Sequence, residues 1–203
     1  MKHLKPLKER LLLKGYTIII GLVLLGAVPL IADVLVGVTD NGGLSNGSTD
    51  PACTKRTGLI TGTATVIKAR TGNDFGTSAY TMAVYASDGT HPTGGPRMQS
   101  SATTTVTTAD TVYDSNGLTC TVSCAIVAST EYFVCVWNDN GQVELSDAVG
   151  DVGQLSLGGG ETHPTWPTWN DATSFAFKFD VWVEGTASST GQPAALMSFG
   201  MSR

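Results

Sequence analysis

Charged residues and histidines are scarce in this chain of 203 residues. Asp, Glu, Lys and Arg together make up 14% of it, and it contains three histidines. The formal net charge is −5. Residues 1–14 hold five Lys or Arg residues against Glu9, a sum of +4, so the remaining residues sum to −9. A body this acidic lacks the basic surface of a nucleic-acid-binding protein, so we expect no nucleic-acid partner.

Residues with the usual catalytic and metal-binding spacings are equally sparse. His91 and His163 lie in separate turn-rich stretches, and each is followed by proline. Neither histidine has a cysteine or carboxylate at the spacing of a known zinc motif. The Gly-rich "LGGGE" lacks the Lys-Ser/Thr that follows in a phosphate-binding loop. We therefore predict a protein that is not an enzyme and that holds no cofactor.

Charge is absent from "GYTIIIGLVLLGAVPLIA", the 18 residues 15–32. As a helix this run would span about 27 Å, close to the thickness of a bilayer's hydrocarbon core. We predict a transmembrane helix over residues 15–38, after a basic cytoplasmic leader over residues 1–14. A cleaved signal peptide is the alternative. Its best cleavage site, after Ala32, has Leu30 where a small residue is wanted, which favours an uncleaved anchor.

The junction "KGYTIII" at residues 14–20 resembles a type IV prepilin signal. The resemblance implies that Gly15 ends the leader and that Tyr16 begins the mature chain. The family usually has glutamate at the fifth mature position, where this chain has Ile20. A pilin-like filament subunit is therefore an alternative function.

All four cysteines follow the predicted anchor, and their even number indicates two disulfides in an oxidising compartment. On one extended strand, Cys120 and Cys124 would lie about 13 Å apart, too far for a disulfide. A hairpin turn at residues 129–130 would instead place Cys124 opposite Cys135. We therefore predict the pairs Cys124–Cys135 and Cys53–Cys120, the second of which would fix the linker to the body.

The residues beyond the anchor alternate between apolar and polar with the period of β-strands. Residues 39–58 form a polar linker, residues 59–185 a body of strands and turns, and residues 186–203 a tail. The clearest pattern is "SFAFKFDVWVE" at residues 174–184, which predicts a single strand. In that strand Phe179, Val181 and Val183 would be buried, and Asp180 and Trp182 would face away. The predicted fold is an all-β antiparallel sandwich, jelly-roll-like, preceded by one transmembrane helix.

The order of motifs in the body also suggests a family. "YTMAVYASDGTHPTGGP", "STEYFVCVWNDNG" and "FAFKFDVWVEG" together resemble extracytoplasmic β-sandwich modules of bacterial surface proteins and phage structural proteins. The resemblance implies a jelly-roll-like fold that serves display, adhesion or assembly, and it transfers no catalytic residue.

The stretch "THPTWPTW" at residues 162–169 is the strongest candidate for an interaction site. Its prolines favour an extended, polyproline-like chain, in which His163, Trp166 and Trp169 would share one face. Three uses are open: closure of the protein's own sandwich, contact with a protein partner, or stacking on a glycan. In the tail, the exposed apolar residues Leu196, Met197 and Phe199 are further docking candidates.

Carboxylates gather in residues 138–151, where Asp139, Asp147 and Asp151 are candidates for a calcium site. The simpler interpretation is that they are solvated turn residues.

Together these features predict a single-pass membrane protein with a cytoplasmic N-terminus and a periplasmic or extracellular body. We expect a structural or scaffolding role as an accessory subunit of a membrane or cell-surface assembly. Its expected partners are the membrane and other protein subunits. A pilin-like subunit or a carbohydrate-binding, adhesive module is the alternative.

Overall fold

A computed structural model describes residues 32–37, 44–46, 51–72, 77–139, 143–146, 153–156, 163–169, 172–175 and 178–188. All of these residues belong to one compact unit that begins at Ala32. Across these ranges the secondary structure is entirely β, without a helix.

Sixteen strands follow one another along the described chain. They are β1 (Asp33–Val36), β2 (Leu44–Asn46), β3 (Ala52–Thr57), β4 (Gly62–Arg70), β5 (Ser78–Ser87), β6 (Pro92–Gln99), β7 (Thr104–Val106), β8 (Val112–Asp114), β9 (Thr119–Cys120), β10 (Ala125–Ile126), β11 (Glu131–Asn138), β12 (Val143–Ser146), β13 (Gly153–Ser156), β14 (Ala172–Phe175), β15 (Lys178–Phe179) and β16 (Val181–Ala187).

These strands form two main antiparallel sheets and one small one. The five-stranded sheet has the order β1-β16-β4-β10, with β8 also paired to β4. The eight-stranded sheet, called the large sheet below, has the order β14-β13-β3-β11-β5-β6-β9, with β7 also paired to β5. A three-stranded sheet has the order β15-β12-β2. The predicted all-β antiparallel fold is confirmed.

One apolar core joins the two main sheets. The five-stranded sheet contributes Leu35, Ile67 and Val183, and the large sheet contributes Met82 and Val134, all without solvent exposure. The shared core makes the arrangement a sandwich, as the period-two alternation of the sequence predicts.

The two sheets differ in what covers their outer faces. In β4 the burial alternates, with Ile67 and Ala69 inside and Lys68 and Arg70 partly exposed. In β11 all seven residues from Tyr132 to Asn138 are buried. A strand that is buried on both faces has a continuous run of apolar residues in its sequence. Burial on both faces therefore explains why "YFVCVW", residues 132–137 of β11, contains no polar residue that alternates with the apolar ones. The centre of the large sheet is therefore covered on both sides.

The predicted end of the anchor and the predicted linker need correction. Asp33–Val36, which we assigned to the helix over 15–38, is strand β1 and pairs with β16. Within the proposed linker 39–58, Ala52–Thr57 is strand β3, an interior strand of the large sheet. Periodicity alone could not separate the short apolar strand from the apolar run before it. Residues 15–31 and 38 of the predicted anchor, the leader and residues 189–203 of the tail lie outside the described residues. Among the described residues, none forms a helix long and apolar enough to cross a membrane.

The predicted single strand over residues 174–184 is also wrong. The chain forms β14, β15 and β16 there, and it passes from the three-stranded sheet to the five-stranded sheet at Asp180. Phe179, Val181 and Val183 are buried as predicted. Asp180 and Trp182 are buried as well, at 0% and 3% exposure. The change of sheet breaks the alternation on which the prediction rested.

Both predicted disulfide pairings are wrong. The structure pairs Cys53 with Cys135 and Cys120 with Cys124. The chain bends between β9 and β10, which brings Cys120 and Cys124 to a Cα–Cα distance of 5.2 Å. The prediction assumed one extended strand there. We call Cys120–Cys124 the loop disulfide and Cys53–Cys135 the buried disulfide.

Candidate functional site

The outer face of the large sheet carries a second apolar cluster. Because side chains of a strand point alternately to opposite faces, Val134 and Val136 enter the shared core while Phe133 and Cys135 face outward. On the neighbouring strands, Cys53 and Tyr85 lie on the same outer face. This face would be an exposed apolar patch if nothing covered it.

The buried disulfide lies within this cluster. Cys53 of β3 stands directly opposite Cys135 of β11 in the antiparallel pairing, with a Cα–Cα distance of 3.9 Å. Both cysteines are completely buried. The bond joins residues 82 positions apart in the chain, between two central strands of the sheet.

The segment His163–Trp169, called the cap segment below, covers the outer face. The Tyr85 hydroxyl donates a hydrogen bond of 2.9 Å to the Pro167 carbonyl. The rings of Trp166 and Trp169 meet the Tyr85 ring edge-on, with centroids 6.2 and 5.9 Å away. Edge-to-face pairs at these distances are favourable aromatic contacts. The cap segment therefore forms a third layer on the sandwich.

The two indoles of the cap segment differ in exposure. Trp169 keeps 7% of its surface exposed and belongs to the apolar cluster. Trp166 is half-buried and packs edge-on against Trp137, with ring centroids 5.7 Å apart. The Trp166 Nε1 is buried without a hydrogen-bond acceptor among the described residues. Of the three uses predicted for this segment, the observed packing is closure of the protein's own core, over the face of the sandwich and not over its open end.

His163 lies at the other end of the cap segment, against the same face. Its ring meets Trp137 edge-on at 5.3 Å, and its Nε2 lies 3.4 Å from the Thr81 hydroxyl. Burial lowers the pKa of His163, while the Asp139 carboxylate acts in the opposite direction. All three predicted face-sharing residues, His163, Trp166 and Trp169, thus contact the sheet together.

Asp139 follows β11 and is bound to the start of β5. One oxygen, Oδ1, accepts hydrogen bonds from the Ser78 hydroxyl at 2.8 Å and from the Ala79 N–H at 2.7 Å. Burial acts to raise the pKa of Asp139, but the hydrogen bonds from Ala79 and Ser78, together with smaller effects that include the charge of His163, hold that pKa below its ordinary value. Asp147 and Asp151, the other calcium candidates, lie outside the described residues. The part of the chain that the structure describes contains no group of three His, Cys, Asp or Glu residues able to hold a metal ion.

A histidine, an aspartate and two hydroxyl residues, Ser78 and Thr81, therefore lie near one another at the cap segment. These are residue types used in catalysis, but here the two hydroxyl residues are buried. Ser78 and Thr81 each keep 4% of their surface exposed. A nucleophile must reach its substrate, and both of these residues are almost completely buried. In this arrangement the polar groups connect the cap segment, β5 and β11.

The sequence also contains one match to a catalytic motif, away from the cap segment. The stretch "GLSNG" at residues 43–47 fits the Gly-x-Ser-x-Gly pattern of a nucleophile elbow. That pattern has its chemical meaning at a sharp turn from a strand into a helix. Here Ser45 is the central residue of strand β2, which pairs with β12. Its backbone setting is a strand and not such a turn.

The sequence interpretation missed the sheet residues on which the cap segment rests. Tyr85 and Trp137 contact the cap segment, and Phe133 belongs to the same outer cluster as Tyr85. All three alternate along their strands with residues of the shared core. The signal was the unbroken apolar run of β11, which should have indicated burial on both faces. The tail candidates Leu196, Met197 and Phe199 lie outside the described residues.

Comparison of this chain with protein-family models, curated proteins and solved structures finds no match.

Proposed function

We propose that this protein is a membrane-anchored, extracytoplasmic β-sandwich with a structural role, an accessory subunit of a membrane or cell-surface assembly. In the proposal, residues 15–32 supply the anchor and the sandwich is displayed outside the cytoplasm. The resemblance to display and assembly modules of bacterial surface and phage structural proteins, including a jelly-roll-like fold, is part of this proposal.

The buried disulfide is the observation that carries the proposal. Disulfides form and persist in oxidising compartments, and they are rare among cytosolic proteins. Cys53 and Cys135 face each other on central strands, within an apolar cluster and without exposure. With the loop disulfide, every cysteine of the chain is paired. Two disulfides are compatible with an extracytoplasmic location.

The shape of the fold supports a structural role. Both faces of the large sheet are covered at its centre, one by the five-stranded sheet and the other by the cap segment. The hydroxyls nearest His163 and Asp139 are buried and bound within the protein. A rigid sandwich with a covered face is suited to presenting its loops and edges to other subunits.

Labelling of the loop disulfide in sealed, right-side-out membrane vesicles tests the location. Cys120 is exposed, so a membrane-impermeant reductant followed by a polymer-linked maleimide should add mass to the chain without lysis. The double variant Cys120→Ala and Cys124→Ala is the matched control and should stay unlabelled. Labelling that requires lysis, or that needs no reductant, would show that the body is not in an oxidising external compartment.

Native size in mild detergent tests the assembly. The proposal predicts that the chain migrates in a complex larger than the monomer, together with other subunits. Migration of all the protein as a free monomer would contradict the role of accessory subunit. N-terminal sequencing that begins at Tyr16 would replace this proposal with the pilin-like filament subunit.

A further inference from the structure

Three of the four exposed large apolar side chains in the described part of the chain lie at one end of the sandwich. Among the described residues four are exposed: Leu59 at 55%, Ile60 at 38%, Val122 at 70% and Val127 at 49%. Leu59 and Ile60 lie in the crossover from β3 to β4, and Val127 lies in the crossover from β10 to β11. Val122 lies apart from both crossovers, in the loop closed by the loop disulfide.

The two crossovers lie side by side. Gly58 donates to the Thr130 carbonyl and accepts from the Ser129 N–H, both at 2.8 Å. The Ala128 N–H donates to the Thr61 hydroxyl at 3.0 Å. These bonds hold residues 58–61 and 127–130 as one surface, called the apolar end below. Neither "GLIT" nor "VAST" contains a charged residue.

The chain enters the sandwich at the apolar end. Strand β1 begins there, because Asp33 pairs with Gly185 and the Leu59 N–H donates to the Leu35 carbonyl at 2.8 Å. Ala32, the residue before β1, is exposed. The last strand, β16, finishes at the same end, where Ser188 donates to the Thr61 carbonyl at 2.8 Å.

Polar groups border the apolar end. Asp33 is half-buried beside it. The turn between β5 and β6, with Asp88 and His91, finishes the large sheet on the same side. Glu131 pairs with Lys55 at 3.3 Å. An apolar centre with a charged border matches the gradient of polarity from acyl chains to lipid headgroups.

We infer that the apolar end rests on the lipid bilayer, with Leu59, Ile60 and Val127 inserted at its interface. The inference rests on the proposed anchor and adds the orientation of the body. The uncharged run of the sequence ends at Ala32, and β1 begins at Asp33. Each residue between the bilayer and β1 allows at most about 3.6 Å. In the proposal the chain leaves the bilayer next to β1, so the part of the body that we infer to meet the lipid is the end where β1 begins, the apolar end.

Site-specific photo-crosslinking in the full-length chain tests this orientation. A benzophenone amino acid replaces Ile60 in one variant and Val127 in a second. In the control it replaces Thr105, an exposed residue of β7 that pairs with the opposite end of β5. Cells are grown with radiolabelled phospholipid and irradiated, and the lipid label on the purified chain is counted. The inference predicts several-fold more lipid adduct from positions 60 and 127 than from position 105.

Two controls keep the outcomes distinct. Non-reducing peptide mapping must show both disulfides in every variant, which establishes that each one folds. Carbonate extraction reports independently whether the chain is integral to the membrane.

If the chain resists carbonate but positions 60 and 127 crosslink to a second copy or another protein, or give no more lipid adduct than position 105, the inference is overturned and the anchor stands. If carbonate releases the chain, the proposed anchor fails, and the inference fails with it.

Discussion

Removal of the buried disulfide should destabilise the fold far more than removal of the loop disulfide. The perturbation is the double variant Cys53→Ala and Cys135→Ala, with Cys120→Ala and Cys124→Ala as its matched control. Each double variant removes one bond and the same number of sulfur atoms. The comparison therefore separates the effect of the bond's position from the effect of losing a disulfide.

The expected magnitudes follow from the lengths of chain that the bonds close. The buried disulfide spans 82 residues and the loop disulfide spans 4. Restriction of the unfolded chain then contributes about 4.5 kcal/mol for the first bond and about 2 kcal/mol for the second. The alanines at positions 53 and 135 also leave a cavity in the buried cluster that contains Trp169, which adds to the first loss. A domain is typically stable by about 5–15 kcal/mol, so the first variant loses between about a third and all of its stability.

Denaturant unfolding of the full-length chain in detergent measures both losses. The free energy of unfolding is taken from intrinsic tryptophan fluorescence under non-reducing conditions, with the wild type, the two double variants and the reduced wild type in parallel. The wild type should be the most stable, the loop-disulfide variant intermediate and the buried-disulfide variant the least stable. If the loop-disulfide variant lost as much stability as the buried-disulfide variant, or more, the reasoning from loop length and burial would be refuted.

Three further results are expected. Mild reductant at neutral pH should open the loop disulfide first, because Cys120 is exposed and the buried disulfide becomes accessible only on unfolding; differential alkylation and mass spectrometry measure the order. Trp169→Ala should lower the free energy of unfolding by about 3–5 kcal/mol, as is typical for a buried aromatic residue, and Trp166→Ala, from a half-buried site, should lower it less. The free energy of unfolding should fall as the pH drops below about 6.5. Burial lowers the pKa of His163 in the folded protein, so on acidification the unfolded chain binds a proton at a pH where the folded protein does not. Denaturation of the wild type and of His163→Gln at a series of pH values measures this.

Each of these results has a clear opposite. Equal rates of reduction at both disulfides would contradict the burial of Cys53 and Cys135. If Trp169→Ala left the free energy of unfolding unchanged, the indole would be exposed and free for a partner. If the free energy of unfolding of His163→Gln depended on pH between about 7 and about 5.5 as that of the wild type does, then burial would not lower the pKa of His163 in the folded protein.

The sandwich was predictable because alternation along a strand reports which face is buried. β4 shows this pattern, with Ile67 and Ala69 inside and Lys68 and Arg70 outside. The same logic failed in β11, where Phe133 and Cys135 are buried on the outer face. A local pattern cannot show that a segment some thirty residues later will cover that face.

The disulfides show a second limit. Chain spacing excluded Cys120–Cys124 only under the assumption of a continuous strand, and the bend after β9 removes that assumption. Pairing of Cys53 with Cys135 depends on the register of β3 against β11, a contact across 82 residues. Such register is set by tertiary packing and is not visible in either strand alone.

The cap segment was predictable in part. Its prolines and its spacing of three correctly indicated that His163, Trp166 and Trp169 act on one side. Which surface they meet depends on Tyr85 and Trp137, which lie on strands far away in sequence. The spacing therefore indicated which residues share a side but not the surface they meet, and the predicted extended chain is wrong for residues 163–165, which form a turn.

Non-reducing peptide mapping of the chain from isolated native membranes tests the central claim most directly. The account predicts that the chain is recovered in the membrane fraction with Cys53 linked to Cys135 and Cys120 linked to Cys124. Recovery of the chain in the soluble cytosolic fraction with free thiols would contradict it.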